Sequence, residues 1–202
     1  MRVLYVLLAE SKFLVSGAAD NNMKLWEVQS GKCLFTWEFP TAIKRVAFSE
    51  DDSLIACITE QRMGFQGAIR IFEINRLGKG TDRMCFSTSF GGRNSRFISE
   101  ILESLEPISI IHPIASKATV VIWHGNEHVV TGHESGQLCL YQAKTGEEVV
   151  SNQHAHREIV TDIQMAPDRS YFVTSSKDKS AKVCADGVRT IREGPDISDS
   201  SS

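Results

Sequence analysis

VTGHESGQLCLY, running from Val130 to Tyr141, is one of three copies of a twelve-residue word. The others are VSGAADNNMKLW, Val15 to Trp26, and VTSSKDKSAKVC, Val173 to Cys184. Each copy opens on a β-branched Val, crosses Ser, Asp, Asn or Gly, and closes on alternating apolar positions. That is the pattern of a strand, a tight turn and a second strand. The first two copies run into matching glycine turns, Ser30-Gly31 and Thr145-Gly146, suited to a hairpin. A second word lies upstream: VAFSEDDSLIAC from Val46 aligns without gaps to IQMAPDRSYFVT from Ile163.

Joined, the two words describe four short antiparallel strands in about 40–45 residues, the period of one β-propeller blade. The expected fold is all-β: a partial propeller over 1–183, with blades at 13–39, 43–75, 118–152 and 156–183. In the second blade, Ala68 to Ile74 supplies a strand with Phe72 in the place of Trp26. An irregular insertion over 78–105 does not fit the repeat, and Ile98 to Leu105 suggests a helical turn or two. The tail, 184–202, reads as disordered, and the charged Arg189 to Glu193 as solvated surface. Val3 to Ala9 is short for a signal peptide and is followed at once by Glu10 and Lys12, so a buried strand is expected there.

Composition narrows the function. Of 202 residues, 42% are hydrophobic and 23% charged, as in a soluble globular protein. The net charge of −3, without a run of Lys and Arg, argues against direct nucleic-acid binding. No apolar segment is long enough to cross a membrane as a helix. Cys33, Cys57, Cys85, Cys139 and Cys184 are odd in number and form no C-x-x-C pair, so a reducing compartment is expected.

Repeats of this kind, WD repeats, carry a structural hydrogen-bond set: a His before the first strand, a Ser or Thr on the second, an Asp in the next turn and a Trp on the third. Ser16, Asp20 and Trp26 fit three roles in the first blade; Thr131 and Tyr141 fit in the third, with Ser135 in place of Asp. His156, Thr174 and Asp178 fit in the last, with Cys184 where an aromatic belongs. His, Ser and Asp together also invite a hydrolase reading. The repeated spacing and the lack of a G-x-S-x-G elbow favour structure over catalysis, and no catalytic residue is expected. His154-Ala155-His156 lacks a third ligand at metal spacing, and His124 and His128 are not expected to share a face. Neither a metal nor a cofactor is expected.

Four stretches carry a closer resemblance: SGAADNNMKLWEVQSGKCLFTW, TEQRMGFQGAIRIFEI, ATVVIWHGNEHVVTGHESGQL and REIVTDIQMAPDRSYFVTSSKDKSAK. The long turn over Thr59 to Gln66 and the Gly132-His-Glu-Ser-Gly136 turn are the most telling. They resemble the i subunit of eukaryotic translation initiation factor 3, over about 10–77 and 106–183. The resemblance implies a ring of roughly seven blades. This sequence supplies about three to four of them, starting inside the second and leaving register in the fifth. Segments 1–8, 82–105 and 184–202 do not look like the family, as in a truncated or mis-spliced product. Such an open arc is expected to be poorly soluble or to bind chaperones. The resemblance implies a cytoplasmic, non-catalytic scaffold that contacts the b and g subunits and, indirectly, the small ribosomal subunit. A signalling adaptor and a non-functional truncated isoform are the rival readings.

Overall fold

The computed structural model describes residues 3–7, 13–51, 53–74, 106–114, 116–185 and 188–193. Its strands form four four-stranded sheets, each ordered as the chain runs, with every pairing antiparallel. Blade 1 contains β1 (Val3–Leu7), β2 (Phe13–Ala18), β3 (Asn22–Glu27) and β4 (Cys33–Glu38). Blade 2 contains β5 (Ile43–Phe48), β6 (Leu54–Thr59), β7 (Ala68–Glu73) and β8 (Ser109–Ile111). Blade 3 contains β9 (Ala118–His124), β10 (His128–His133), β11 (Leu138–Gln142) and β12 (Glu148–Asn152). Blade 4 contains β13 (Val160–Met165), β14 (Phe172–Ser176), β15 (Ala181–Ala185) and β16 (Arg189–Glu193). No helix occurs among the described residues, and so none long and apolar enough to cross a membrane.

Three boundaries differ from the sequence reading. Blade 1 starts at Val3 rather than 13, because β1 pairs in full register with β2. Only the second and third strands carry the repeated word, so the first was invisible to it. Blade 2 does not end at 75: its fourth strand is Ser109–Ile111, beyond the insertion, pairing through Ile69, Arg70 and Ile71. The expected disordered tail from 184 is also corrected. Cys184 and Ala185 finish β15, and Arg189–Glu193 pairs with it as β16, with Arg189 exposed. Val188, between them, is buried. The insertion over 78–105, its expected helical turns and residues 194–202 lie outside the described residues.

Burial explains the strand patterns. An interior blade is covered on both faces, so its strands need not alternate with polar residues. β6, LIACIT, is buried at every position. The outer strand β12, EVVSN, is exposed over its first three residues. The apolar clusters sit at the junctions. Val15, Met23, Leu25 and Trp37 of blade 1 meet Ile43, Val46, Ile55 and Phe72 of blade 2. Ile58, Ile69 and Ile71 of blade 2 meet Val121, Trp123 and Val129 of blade 3. Val130, Leu138 and Leu140 of blade 3 meet Val160, Ile163 and Phe172 of blade 4.

Volumes are matched across the junctions. Gly17 of blade 1 faces Ile43 so closely that a Cβ there would run into its side chain. At Gly132 of blade 3 a Cβ would lie 2.5 Å from Val160 Cγ1. Blade 2 reverses the arrangement: buried Ile58 occupies the corresponding position, and small Ala118 shares its cluster. Each pair keeps the space filled without overlap, as close packing requires.

Candidate functional site: the buried imidazole sets

The register fixes equivalent positions in the four blades. Leu14 pairs with Trp26, Ile55 with Phe72, Val129 with Tyr141 and Phe172 with Cys184. Two residues further along the second strand stand Ser16, Cys57, Thr131 and Thr174. These two positions frame each hydrogen-bond set.

In blade 1 the Trp26 indole N–H donates to Ser16 Oγ at 2.9 Å. Lys24 lies over the same ring, 5.8 Å from its centroid. Asp20 does not join them. It is exposed and accepts the Asn22 amide at 3.1 Å, closing its own turn, because no imidazole among the described residues reaches it.

In blade 4 the entry loop delivers His156 into the sheet. Its Nε2 lies 2.8 Å from Thr174 Oγ1, and its Nδ1 lies 3.1 Å from both Asp178 Oδ2 and Ser180 Oγ. Asp178 Oδ2 also accepts the Arg157 amide at 2.9 Å. Its Oδ1 accepts the Ser180 hydroxyl at 2.7 Å and amide at 3.0 Å. Burial acts to raise this carboxyl. The Arg157 amide, Ser180 and His156 outweigh it and hold the group far below the usual carboxylate range. Cys184, in the aromatic position, is buried, and its thiol lies 3.8 Å from Thr190 Oγ1.

Blade 3 builds a comparable set from different residues. Tyr141 does not bond Thr131, as its position suggested; its hydroxyl donates to Glu148 at 3.4 Å. Burial, with Cys139 and Glu148 beside it, pushes the phenol far above its ordinary value. The partner of Thr131 is His133, two residues along the same strand and therefore on the same face. His133 Nε2 lies 2.8 Å from Thr131 Oγ1, and Nδ1 lies 2.9 Å from the Ser116 carbonyl. A carbonyl only accepts, so Nδ1 carries the hydrogen, and neutral Nε2 takes the threonine proton. Thr131 could also donate to Cys139 O, but at 3.4 Å that bond is the longer. Burial lowers the His133 pKa, in keeping with a neutral ring. Sequence reasoning sought the imidazole before the blade and missed one within it; the signal was the i, i+2 Thr-x-His on a strand.

The two sets meet at one turn. Gly136 closes the blade 3 turn at φ +85, and its carbonyl accepts the His156 amide at 3.0 Å. A Cβ at Gly136 would overlap the His156 carbonyl. Only glycine allows the entry loop of blade 4 to sit this close.

These groups are poorly placed for chemistry on a substrate. Thr131 and Thr174 have no exposed surface, and the His156 and Asp178 side chains are 0% and 8% exposed. Their hydrogen-bonding capacity is used within the sheets, which suits structural polar sets. Burial pushes the Cys57 thiol up to about 12 and Cys139 up to about 11, so neither is a nucleophile at neutral pH. Among the described residues no three of His, Cys, Asp and Glu converge on a possible metal position. His124 and His128, expected not to share a face, pair directly across the β9–β10 hairpin and so do share one.

Four-stranded antiparallel sheets packed face to face, with buried Ser/Thr, His and Asp sets, define a WD-repeat β-propeller segment. The family model "WD domain, G-beta repeat" matches residues 147–184. Within that class the chain is a homologue of proteins named eukaryotic translation initiation factor 3 subunit I. It is 42% identical to the one from Mycosarcoma maydis over 182 residues, covering 86% of this chain and 47% of that protein. The Schizosaccharomyces pombe protein is 43% identical over 175 residues, covering 85% and 47%. The Emericella nidulans protein is 41% identical over 172 residues, covering 84% and 45%. The chain thus spans about half the length of these relatives.

Proposed function

We propose that this chain serves as, or belongs to, a non-catalytic scaffold subunit of eukaryotic translation initiation factor 3. It acts in the cytoplasm by binding other subunits, with b and g as its partners, and it reaches the small ribosomal subunit through them. The observation that carries this reading is homology to subunit I at more than 40% identity over more than four-fifths of the chain. The geometry is in keeping with it. The polar groups a hydrolase would need are buried between sheets, and a rigid stack of sheets that displays its loops is the build of an interaction scaffold.

An antibody against Lys117 to Gln153 tests the proposal. The protein is precipitated from its source cells and its companions are identified by mass spectrometry. Other initiation factor 3 subunits, b and g among them, are the expected companions. Recovery of the chain with only chaperones, or with a receptor tail and no initiation factor subunit, would overturn it.

A further inference from the structure

Three blades are tied together at the turn that follows β5. Asp51 sets the shape of this turn: its Oδ1 accepts the Ser49 and Ser53 hydroxyls, each at 2.7 Å, and the Ser53 amide at 3.1 Å. The buried Ser49 Oγ in turn accepts the Leu54 amide at 2.9 Å. Glu50, held between them, bonds to two other blades. Its Oε1 accepts the Gly125 amide of blade 3 at 3.0 Å, and its Oε2 meets the Arg169 guanidinium of blade 4. Beside it the Asp51 amide donates to Asn126 Oδ1 of blade 3 at 3.0 Å.

Arg169 stands in the β13–β14 turn at φ +61, the left-handed region that a bulky side chain avoids. A turn that served only its own hairpin would hold glycine or asparagine there. Strain of this kind persists where the side chain has a use, and here it reaches past blade 3 to Glu50. A second tie makes the same reach. Arg45 of β5 lies 3.4 Å from Asp162 Oδ1 and donates to the Thr161 carbonyl at 3.2 Å, both on β13. β9 of blade 3 packs against both β5 and β13, so the two ties pass over it. Arg45 lies within β5 and Glu50 beyond its end, so they act at two heights on the same pair of blades.

A single exposed ion pair contributes little to stability. Two at different heights, one of them on a rigid turn, limit instead how far blades 2 and 4 can spread or twist. The apolar junctions supply attraction without direction. We propose that Glu50–Arg169 and Arg45–Asp162 form a salt-sensitive brace that fixes the angle between blades 2 and 4 across blade 3. All four side chains are partly exposed, which leaves the brace open to screening. It belongs to the fold and does not depend on the translation reading.

Double electron–electron resonance on the full chain tests it. Spin labels are placed at Ile110→Cys on β8 and Arg189→Cys on β16, both exposed positions, with Cys33→Ser and Cys85→Ser. Cys57, Cys139 and Cys184 are buried and stay unlabelled. One narrow distance distribution is expected at low salt. E50Q/D162N is expected to widen it about twofold or more. So is about 1 M salt on the chain with both pairs intact, because charges are then screened beyond about 3 Å. E27Q/E147Q neutralises two carboxylates that bond to Ser30 and Thr145 within their own turns, and is expected to leave the width unchanged. Should E50Q/D162N fail to fold, the salt series decides. A width indifferent to E50Q/D162N or to salt, or widened as much by E27Q/E147Q, would overturn the proposal.

Discussion

Blades 3 and 4 each bury an imidazole 2.8 Å from a threonine hydroxyl, yet they draw it from different places in the chain. Blade 4 takes His156 from its entry loop and anchors the far nitrogen on the ionised carboxylate of Asp178. Blade 3 takes His133 from the end of its own second strand and anchors it on a neutral carbonyl, Ser116. These two sheets hold the same polar bridge at this depth and take it from whichever segment reaches. What differs is the charge beside the ring, and with it the response to truncation and to acid.

Gly136→Ala gives the largest expected effect, because it strikes both sets. The substitution combines a positive φ with overlap onto the His156 backbone, and it should cost about 3 kcal/mol or more in denaturant unfolding. A loss below about 1 kcal/mol would mean that the two blades are not coupled through this turn.

Truncating the imidazoles separates the sets. His156→Ala takes one charge-assisted partner from the Asp178 carboxylate, which keeps the Arg157 amide and Ser180, and one from the Thr174 hydroxyl, and should cost about 2–3 kcal/mol beyond the lost packing. His133→Ala strands neutral groups only and should cost about 1–2 kcal/mol beyond the lost packing. Equal losses in paired melts would remove the electrostatic distinction.

Acid should act on blade 3 first. The His133 pKa lies below its ordinary 6.5, so the unfolded chain binds the proton more readily. The stability from the neutral ring is complete above 6.5 and is lost as pH falls from there through the folded value. Asp178 has the depressed carboxylate pattern: its contribution is complete above 3.8 and is lost only as pH falls through its folded value. Hydrogen exchange corrected for intrinsic rates should show β10 amides losing protection between pH 7.5 and pH 5, a window in which the Asp178 contribution is intact. Protection in β10 that stays constant over that window would count against the neutral ring.

The smallest effect belongs to blade 1. Trp26→Phe removes one indole donor from a half-buried Ser16, which water can then reach, and should cost about 1 kcal/mol.

The repeat was legible because blades share strand patterns. Ser16 with Trp26, and His156 with Thr174 and Asp178, could be read from position alone and are brought together in the structure. Other features were hidden for physical reasons. His133 was missed because the role belongs to an atom's location, which a strand end reaches as well as an entry loop. β8 was hidden because three residues far from their sheet carry no pattern of their own. β16, Arg-Thr-Ile-Arg-Glu, looks like surface in sequence because an outer strand needs only its backbone to complete a sheet. The indoles show the same limit. Trp123 donates to Ala47 O across a junction at 3.0 Å, whereas the buried Trp37 Nε1 has no hydrogen-bond partner. Nothing in their neighbouring residues distinguishes them.

The most direct test of the central comparison is the protonation state of the His133 ring, read from ¹⁵N–¹H long-range correlations as pH is lowered. The expected ring is neutral, carries its hydrogen on Nδ1 at pH 7, and titrates below 6.5. A ring that is charged at pH 7, or that carries its hydrogen on Nε2, would contradict the assignment of Ser116 and Thr131 as its acceptor and donor.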